Sequence, residues 1–179
     1  MGKFLICDNN NAKKLTEKDF AWLSAIIEAE GSISIAVTKR KNGNICVVPF
    51  ICMTNTDILI INEVKRLFQL VGCQVITHWR KKNYNLGHLP ICNLKVSGQK
   101  QVLYILPYLI PYIRGSKKIL AERVMKYIKL RENEMFTRNS LGRIVRNKYT
   151  KEQIELVSTI RTHKMATSLE EMLKANNVA

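Results

Sequence analysis

The sequence predicts an α+β fold, an antiparallel sheet covered on one face by helices. Three observations carry this. The hydrophobic period switches between helical spacing and strict alternation, in the order helix, two strands, helix, two strands, helix, helix. The first strand pair is joined through Asn42-Gly43, a strong hairpin signal. Both strand pairs carry apolar side chains on one face and polar ones on the other, so helices have one face to cover and the second is left for solvent or a partner.

The first helix is predicted from Thr16 to Gly31. Thr16 is an N-cap with Asp19 three residues on in a capping-box position. Phe20, Leu23, Ile26 and Ile27 form its apolar side. Ala21, Ala25 and Ala29 stack at four-residue spacing as a smooth stripe, which Ser24 is expected to widen. Small residues of this kind let two helix backbones approach closely. Glu28 and Glu30 occupy the last turn, where the helix dipole is negative and cations are preferred. A divalent cation would relieve that conflict; a solvated helix end would instead tolerate it at a few tenths of a kcal/mol. Gly31 is a natural stop.

Beyond Gly31, Ile33, Ile35 and Val37 alternate with Ser32, Ser34, Ala36 and Thr38. The tip that follows, Thr38, Lys39, Arg40, Lys41, Asn42 and Asn44, is basic and amide-rich, suited to phosphate contact. Residues 45–53 return, with Pro49 marking an edge or bulge. Thr54 to Asp57 is rich in capping residues, and a helix runs from there to Val71 with Ile58, Ile61, Val64, Leu67 and Phe68 on its buried side. A second strand pair covers 73–80 and 89–97. Its polar positions are Gln74, His78 and Arg80 on the first strand and Asn93, Lys95 and Ser97 on the second, joined by a basic loop that includes Lys81, Lys82 and Tyr84. Arg and Lys read guanine and Asn and Gln read adenine at base edges. Residues 99–110 read as a helix ended by Pro107 or Pro111. Arg114 to Lys118 reads as a basic turn, and a long helix follows to Arg131 with Ile119, Val124 and Ile128 apolar. Residues 135–151 carry Arg138, Arg143 and Arg146 and no acid. Asn139 to Arg143 reads as loop, followed by a helix from Glu152 to Arg161 and a short one from Ser168. The chain thus divides into an arm over 1–15, a core over 16–134, and a basic loop with C-terminal helices over 135–179.

The 29 Lys and Arg residues exceed the 14 Asp and Glu residues, giving a net charge of +15. Such a surplus calls for a polyanionic partner. No apolar run reaches membrane-spanning length, and the start has no signal-peptide pattern, so no membrane association is expected. Five cysteines without Cys-x-x-Cys spacing exclude a zinc ribbon and fit an intracellular, reducing location. His78, His88 and His163 lack metalloprotease spacing, although His78 and His88 flanking a basic hairpin leave an HNH-type nuclease conceivable. No glycine-rich phosphate loop follows a strand.

The stretch Leu23-Ser-Ala-Ile-Ile-Glu-Ala-Glu-Gly31 resembles the LAGLIDADG motif of homing endonucleases. Ser24 replaces Ala, Ala25 replaces Gly, and Glu stands at both acid positions. The order of elements over residues 16–131 is similar to that family's αββαββα core, which implies a saddle-shaped sheet. The motif occurs once, which in the family implies a homodimer built through the 16–31 helix and bound to double-stranded DNA. The resemblance further implies site-specific double-strand cleavage at a long pseudo-palindromic target by an intron-encoded enzyme using Mg²⁺, or Mn²⁺. It assigns Glu30, with Ala29 beside it, to the metal, Glu28 to support, and Lys117 to an electrostatic role near the scissile phosphate, with Lys118 second. The family's polar residue after the first hairpin falls near Thr54 or Asn55, where Thr54 departs from the usual Gln. Two alternatives remain at this stage: an RNA maturase acting on intron RNA, and a non-catalytic DNA-binding regulator of the same fold.

Overall fold

The computed structural model describes residues 15–39, 45–80, 90–134, 136–138, 144–146 and 148–160. Helix α1 (Glu17–Glu30) leads into β1 (Gly31–Lys39) and β2 (Ile45–Asn55). Then come α2 (Ile58–Leu70), β3 (Val75–Arg80), β4 (Ile91–Ser97), α3 (Gln99–Leu109) and α4 (Gly115–Glu134). A short ribbon, β5 (Phe136–Arg138) and β6 (Ile144–Arg146), precedes α5 (Lys151–Ile160). The main sheet is antiparallel in the order β1-β2-β4-β3, so the α+β architecture is the one the alternation predicts.

Helix α1 begins with a complete capping box. The Thr16 N–H donates to the Asp19 carboxylate at 2.8 Å, and the Asp19 N–H donates back to Thr16 Oγ1 at 3.3 Å. Phe20, Leu23 and Ile27 are buried, each contributing about 1.5–3 kcal/mol of hydrophobic stabilisation. The Phe20 ring stacks on Tyr108 of α3 with centroids 5.1 Å apart. Ser24 does not join the alanine stripe. It is fully buried and donates to the Leu109 carbonyl at 3.2 Å, joining the Tyr112 and Ile113 N–H groups on that carbonyl at the end of α3 and so tying α1 to α3.

No loop separates α1 from β1. Gly31 ends the helix in extended conformation, at φ −101°, rather than in the left-handed region. Its smallness is required by space. A Cβ there would lie 2.7 Å from the Ile27 carbonyl oxygen and 3.1 Å from that of Cys52.

The core lies between the sheet's apolar face and the helices. Ile33, Ile35, Val47, Ile51, Met53, Leu94 and Val96 from the strands meet Val64, Phe68, Ile105, Leu109, Val124 and Ile128. Helix α2 is started by Asp57, which accepts the Leu59 N–H at 2.8 Å. Ile58 is 47% exposed and stands outside the buried side expected of it. Tyr149, Ile154, Val157 and Ile160 belong to the same core, so the segment after the ribbon packs into it.

Pro49 lies in an unbulged β1–β2 ladder. The Gly98 N–H donates to the Pro49 carbonyl at 2.9 Å, just past the last β2–β4 pair, Phe50–Ser97. The N–H that proline lacks would point to that side, where the β4 ladder has ended, so the edge expectation holds and no ladder bond is lost.

Several sequence expectations are corrected. The second strand pair begins later, at Val75 and Ile91, which leaves Gln74 off the strand with its N–H bonded to Gln101 Oε1. Helix α4 starts at Gly115, so Lys117 and Lys118 sit in its first turn rather than in a free turn. Ile119 is 51% exposed; Ala121, Val124, Tyr127 and Ile128 form the buried side instead. The ribbon β5–β6 was not apparent, because three-residue strands are too short to show alternation. The arm over 1–14 and the helix expected from Ser168 lie outside the described residues.

Candidate functional site

The C-terminal end of α1 gathers the acid motif. Glu30 is exposed and Glu28 half-buried; Ala25 and Ala29 are exposed and Ala21 half-buried along the same edge, beside Trp22 at 37% exposure. No basic residue lies in the helix's own last turn. The cation comes from elsewhere. Lys117, from the first turn of α4, donates its ammonium to the Ile27 carbonyl at 3.2 Å and to the Glu28 carbonyl at shorter range. The Glu28 carbonyl is one of the terminal carbonyls left beyond the last helical N–H, whereas that of Ile27 already accepts the Gly31 N–H. Lys117 therefore opposes the negative helix end and brings a positive charge beside the two carboxylates.

The sheet register shows what else converges there. Gly31 pairs with Met53, Asn55 with Cys92, and Arg80 with Ile91. The start of β1 and the ends of β2 and β3 thus share one end of the sheet with Glu30. Thr54, Asn93 and His78 form a cross-strand row there, with Thr54 Oγ1 donating to Asn93 Oδ1 at 2.6 Å. Asn55 is occupied locally, its Oδ1 accepting the Asp57 N–H at 2.8 Å. Lys39 pairs with Ile45 at the opposite end of the β1–β2 ladder, away from the acids.

The sheet face away from the helices carries Ser32, Ser34, Ala36 and Thr38 of β1. Opposite them stand Cys52, Phe50, Val48 and Cys46 of β2, with Thr54 one step beyond, and none of these is buried. Asn93, Lys95 and Ser97 of β4 and His78 and Arg80 of β3 continue it. Thr38 Oγ1 bonds the Cys46 carbonyl at 3.4 Å. Lys95 lies 4.3 Å from the centroid of the Phe50 ring, which fixes its ammonium over the middle of the face. Burial raises the Cys52 thiol above its ordinary range against the pull of Lys95, so Cys52 presents a neutral, apolar surface there. Ile76, at 60% exposure, stands among the polar residues of β3 and was not singled out by the sequence pattern. Sequence reasoning had named Thr38, His78, Arg80, Asn93 and Lys95, and the register brings all five to this one face.

Arg40, Lys41, Asn42, Asn44, Lys81, Lys82, Tyr84 and Arg143 lie outside the described residues. Lys39, Arg138 and Arg146 are described as strand positions only, with Arg146 opposite Phe136 and Arg138 opposite Ile144.

Solved structures share this fold. Nearly all of the chain superposes on the homing endonuclease I-CvuI in complex with an I-CreI target. The TM-score is 0.56 and the identity 18%, over 96% of this chain and 99% of that one. The archaeal intron-encoded homing endonuclease I-Vdi141I, complexed with DNA, gives a TM-score of 0.64 at 15% identity, over 90% and 96%. The LAGLIDADG homing endonuclease I-SmaMI gives 0.58 at 17% identity, over 88% of this chain but 48% of that one. The fold is that of the LAGLIDADG homing endonucleases. No family model and no curated relative matches the sequence itself.

Set within the LAGLIDADG fold, the acid end of α1 offers hard oxygen donors, the Glu30 carboxylate and main-chain carbonyls, of the kind that Mg²⁺ and Mn²⁺ accept. Among the described residues no three His, Cys, Asp or Glu side chains converge as a complete ligand set. The donors fit such a cation in kind. Among the described residues no helix is long and apolar enough to cross a membrane.

Proposed function

We propose that the protein is a site-specific DNA endonuclease, intron-encoded and dependent on Mg²⁺, or Mn²⁺ in its place. It works as a homodimer on a long pseudo-palindromic site. One observation carries this reading: exposed Glu30 ends a helix whose alanine edge is uncovered, and it shares one end of the sheet with Thr54, Asn93, His78 and Arg80. The chain's match to half of the I-SmaMI chain, and to all but 1% of the I-CvuI chain, supports a second copy completing the site.

In this arrangement two α1 helices cross through Ala21, Ala25 and Ala29, and a Glu30 from each protomer stands near the twofold axis. Glu30 and the Ala29 carbonyl would hold the metal, with Glu28 supporting the helix end. The remaining donors would come from the partner, water and the DNA phosphate. When bound, the cation supplies charge neutralisation at the phosphate and acidifies a water. Lys117, held by the Ile27 and Glu28 carbonyls, keeps a further N–H for a phosphate oxygen as negative charge develops. Thr54 and Asn93, tied to each other, line the approach beside the acids.

The β1–β2 hairpin extends from the acid end toward the outer part of each half-site. Eight residue steps along β1 span about 26 Å, roughly eight base pairs of duplex. Thr38 and the Lys39, Arg40, Lys41, Asn42 and Asn44 tip would meet the outer positions. Asn93, His78, Arg80 and the 81–90 connection would meet the inner ones, with Lys95 between. Arg138, Arg143 and Arg146 would add backbone contact. Cysteines without Cys-x-x-Cys spacing suit a reducing intracellular setting.

The test is cleavage of a duplex carrying the intron-free form of the host locus by the purified chain. A break in both strands that requires Mg²⁺, by a species of twice the protomer mass, is expected. A monomer in solution that leaves such DNA intact would refute the proposal.

A further inference from the structure

Among the described residues, β2 from Ile45 to Pro49 pairs with β1 alone, because the β4 ladder ends at Phe50–Ser97. This is the half of the hairpin farthest from Glu30. The C-terminal segment closes its open side. The Val47 N–H donates to the Tyr149 hydroxyl at 3.1 Å, across 102 residues of sequence. Tyr149 is 8% exposed, and its ring lies 4.3 Å from the guanidinium carbon of Arg131, which is 1% exposed. Arg131 also bonds the Lys148 carbonyl at 3.1 Å and Gln153 Oε1 at 3.4 Å; Gln153 Nε2 returns to the Leu130 carbonyl at 3.4 Å. Ile154, Val157 and Ile160 anchor α5 in the core, and Arg123 bonds the Thr159 carbonyl at 3.1 Å. The chain from β2 through Tyr149 and Arg131 to α4 is continuous and buried.

We infer that Tyr149 is a positioning residue for DNA reading. Through it, the Lys148–Ile160 segment braces the outer half of the β1–β2 hairpin against α4. This rests on the proposal that the open sheet face reads duplex DNA. A two-stranded ribbon alone is only marginally stable, and the side chains it presents are correspondingly loose. A hydroxyl that occupies the Val47 amide does for β2 here what β4 does nearer the acids. The expected consequence is local: outer base pairs are read through a brace that inner base pairs do not need.

Tyr149→Phe in the full-length chain removes only the hydroxyl and leaves the ring on Arg131. Hydrogen exchange should then quicken at the Val47 amide about fivefold or more, with the Met53 amide unchanged. Selection from a randomised duplex library should show base preference falling at the outer positions of each half-site and persisting at the inner ones. A Tyr149→Ala variant should extend both effects if it folds; Tyr149→Phe decides the matter alone if it does not. Unchanged Val47 exchange overturns the inference. So does faster exchange with the base preferences intact, or a loss spread evenly over inner and outer positions. A wild-type chain that enriches no sequence overturns the DNA-reading proposal, and the inference with it, before any variant is compared.

Discussion

The Lys117 ammonium holds the Glu28 carbonyl, so the first turn of one helix caps the last turn of another. Lys117 is half-buried there, and charged hydrogen bonds of this kind contribute about 1.5–3 kcal/mol. Lys117→Met should lower unfolding free energy by that amount in urea titration and lower cleavage further than binding. An unchanged urea midpoint would show that the contact holds nothing.

Glu30→Gln keeps size and removes the charge. Cleavage should fall by more than roughly 100-fold, with DNA affinity within a few-fold of wild type. Glu28→Gln should cost less. Wild-type cutting by the Glu30 variant would remove the acid from the mechanism.

With net charge +15, affinity should drop steeply as salt rises. Lys39→Ala should weaken binding to all sequences and flatten the slope of log affinity against log salt by about 1. Asn93→Ala should leave that slope and relax base preference at an inner position. Binding by fluorescence anisotropy at several salt concentrations separates the two; equal slopes for wild type and Lys39→Ala would exclude phosphate contact there.

Gly31→Ala places a methyl 2.7 Å from the Ile27 oxygen, and the fold should lose about 1–3 kcal/mol through the forced shift. Ser24→Ala should cost about 1 kcal/mol or less, since it removes one buried hydrogen bond between α1 and α3 while the Leu109 carbonyl keeps the Tyr112 and Ile113 N–H groups. Thermal unfolding measures both.

Asp19 has its carboxyl held below the ordinary range, first by the Thr16 N–H and then by the Thr16 hydroxyl, against a small opposing effect of burial. A depressed folded-state value means that its contribution is complete above the unfolded carboxylate range. It is lost as pH falls through the lower folded value. Asp19→Asn should therefore narrow its stability gap to wild type at acid pH. A gap that stays constant from neutral to acid pH would show that the capping box does not depend on charge.

Much of this was legible in the sequence because periodicity reports burial. The switch at Gly31 from helical spacing to alternation placed β1, and the parity of Asn93, Lys95, His78 and Arg80 placed them on one face. What stayed hidden depended on distant partners. Ser24 looks like part of the alanine stripe until Leu109, 85 residues away, takes its hydroxyl inward. Lys117 is singled out by the resemblance, but its hold on the Ile27 and Glu28 carbonyls shows only once α4 sets it on the end of α1. Ile76 shares the parity of His78 and Arg80, but an apolar residue on a polar face carries no local sign of its 60% exposure. Tyr149 sits in a segment whose composition suggests a charged appendage, and nothing local announces Val47.

The direct junction at Gly31 ties two geometries into one. With no spare residue between α1 and β1, the crossing angle of paired helices would dictate the heading of each strand over the duplex. One residue inserted at that seam would invert β1, exposing Ile33 and Ile35 and burying Ser32 and Ser34. In the proposed dimer the spacing between two half-sites would then be geared to a hinge that cannot lengthen, and new targets would be reached by changing side chains on the sheet rather than the distance between its halves.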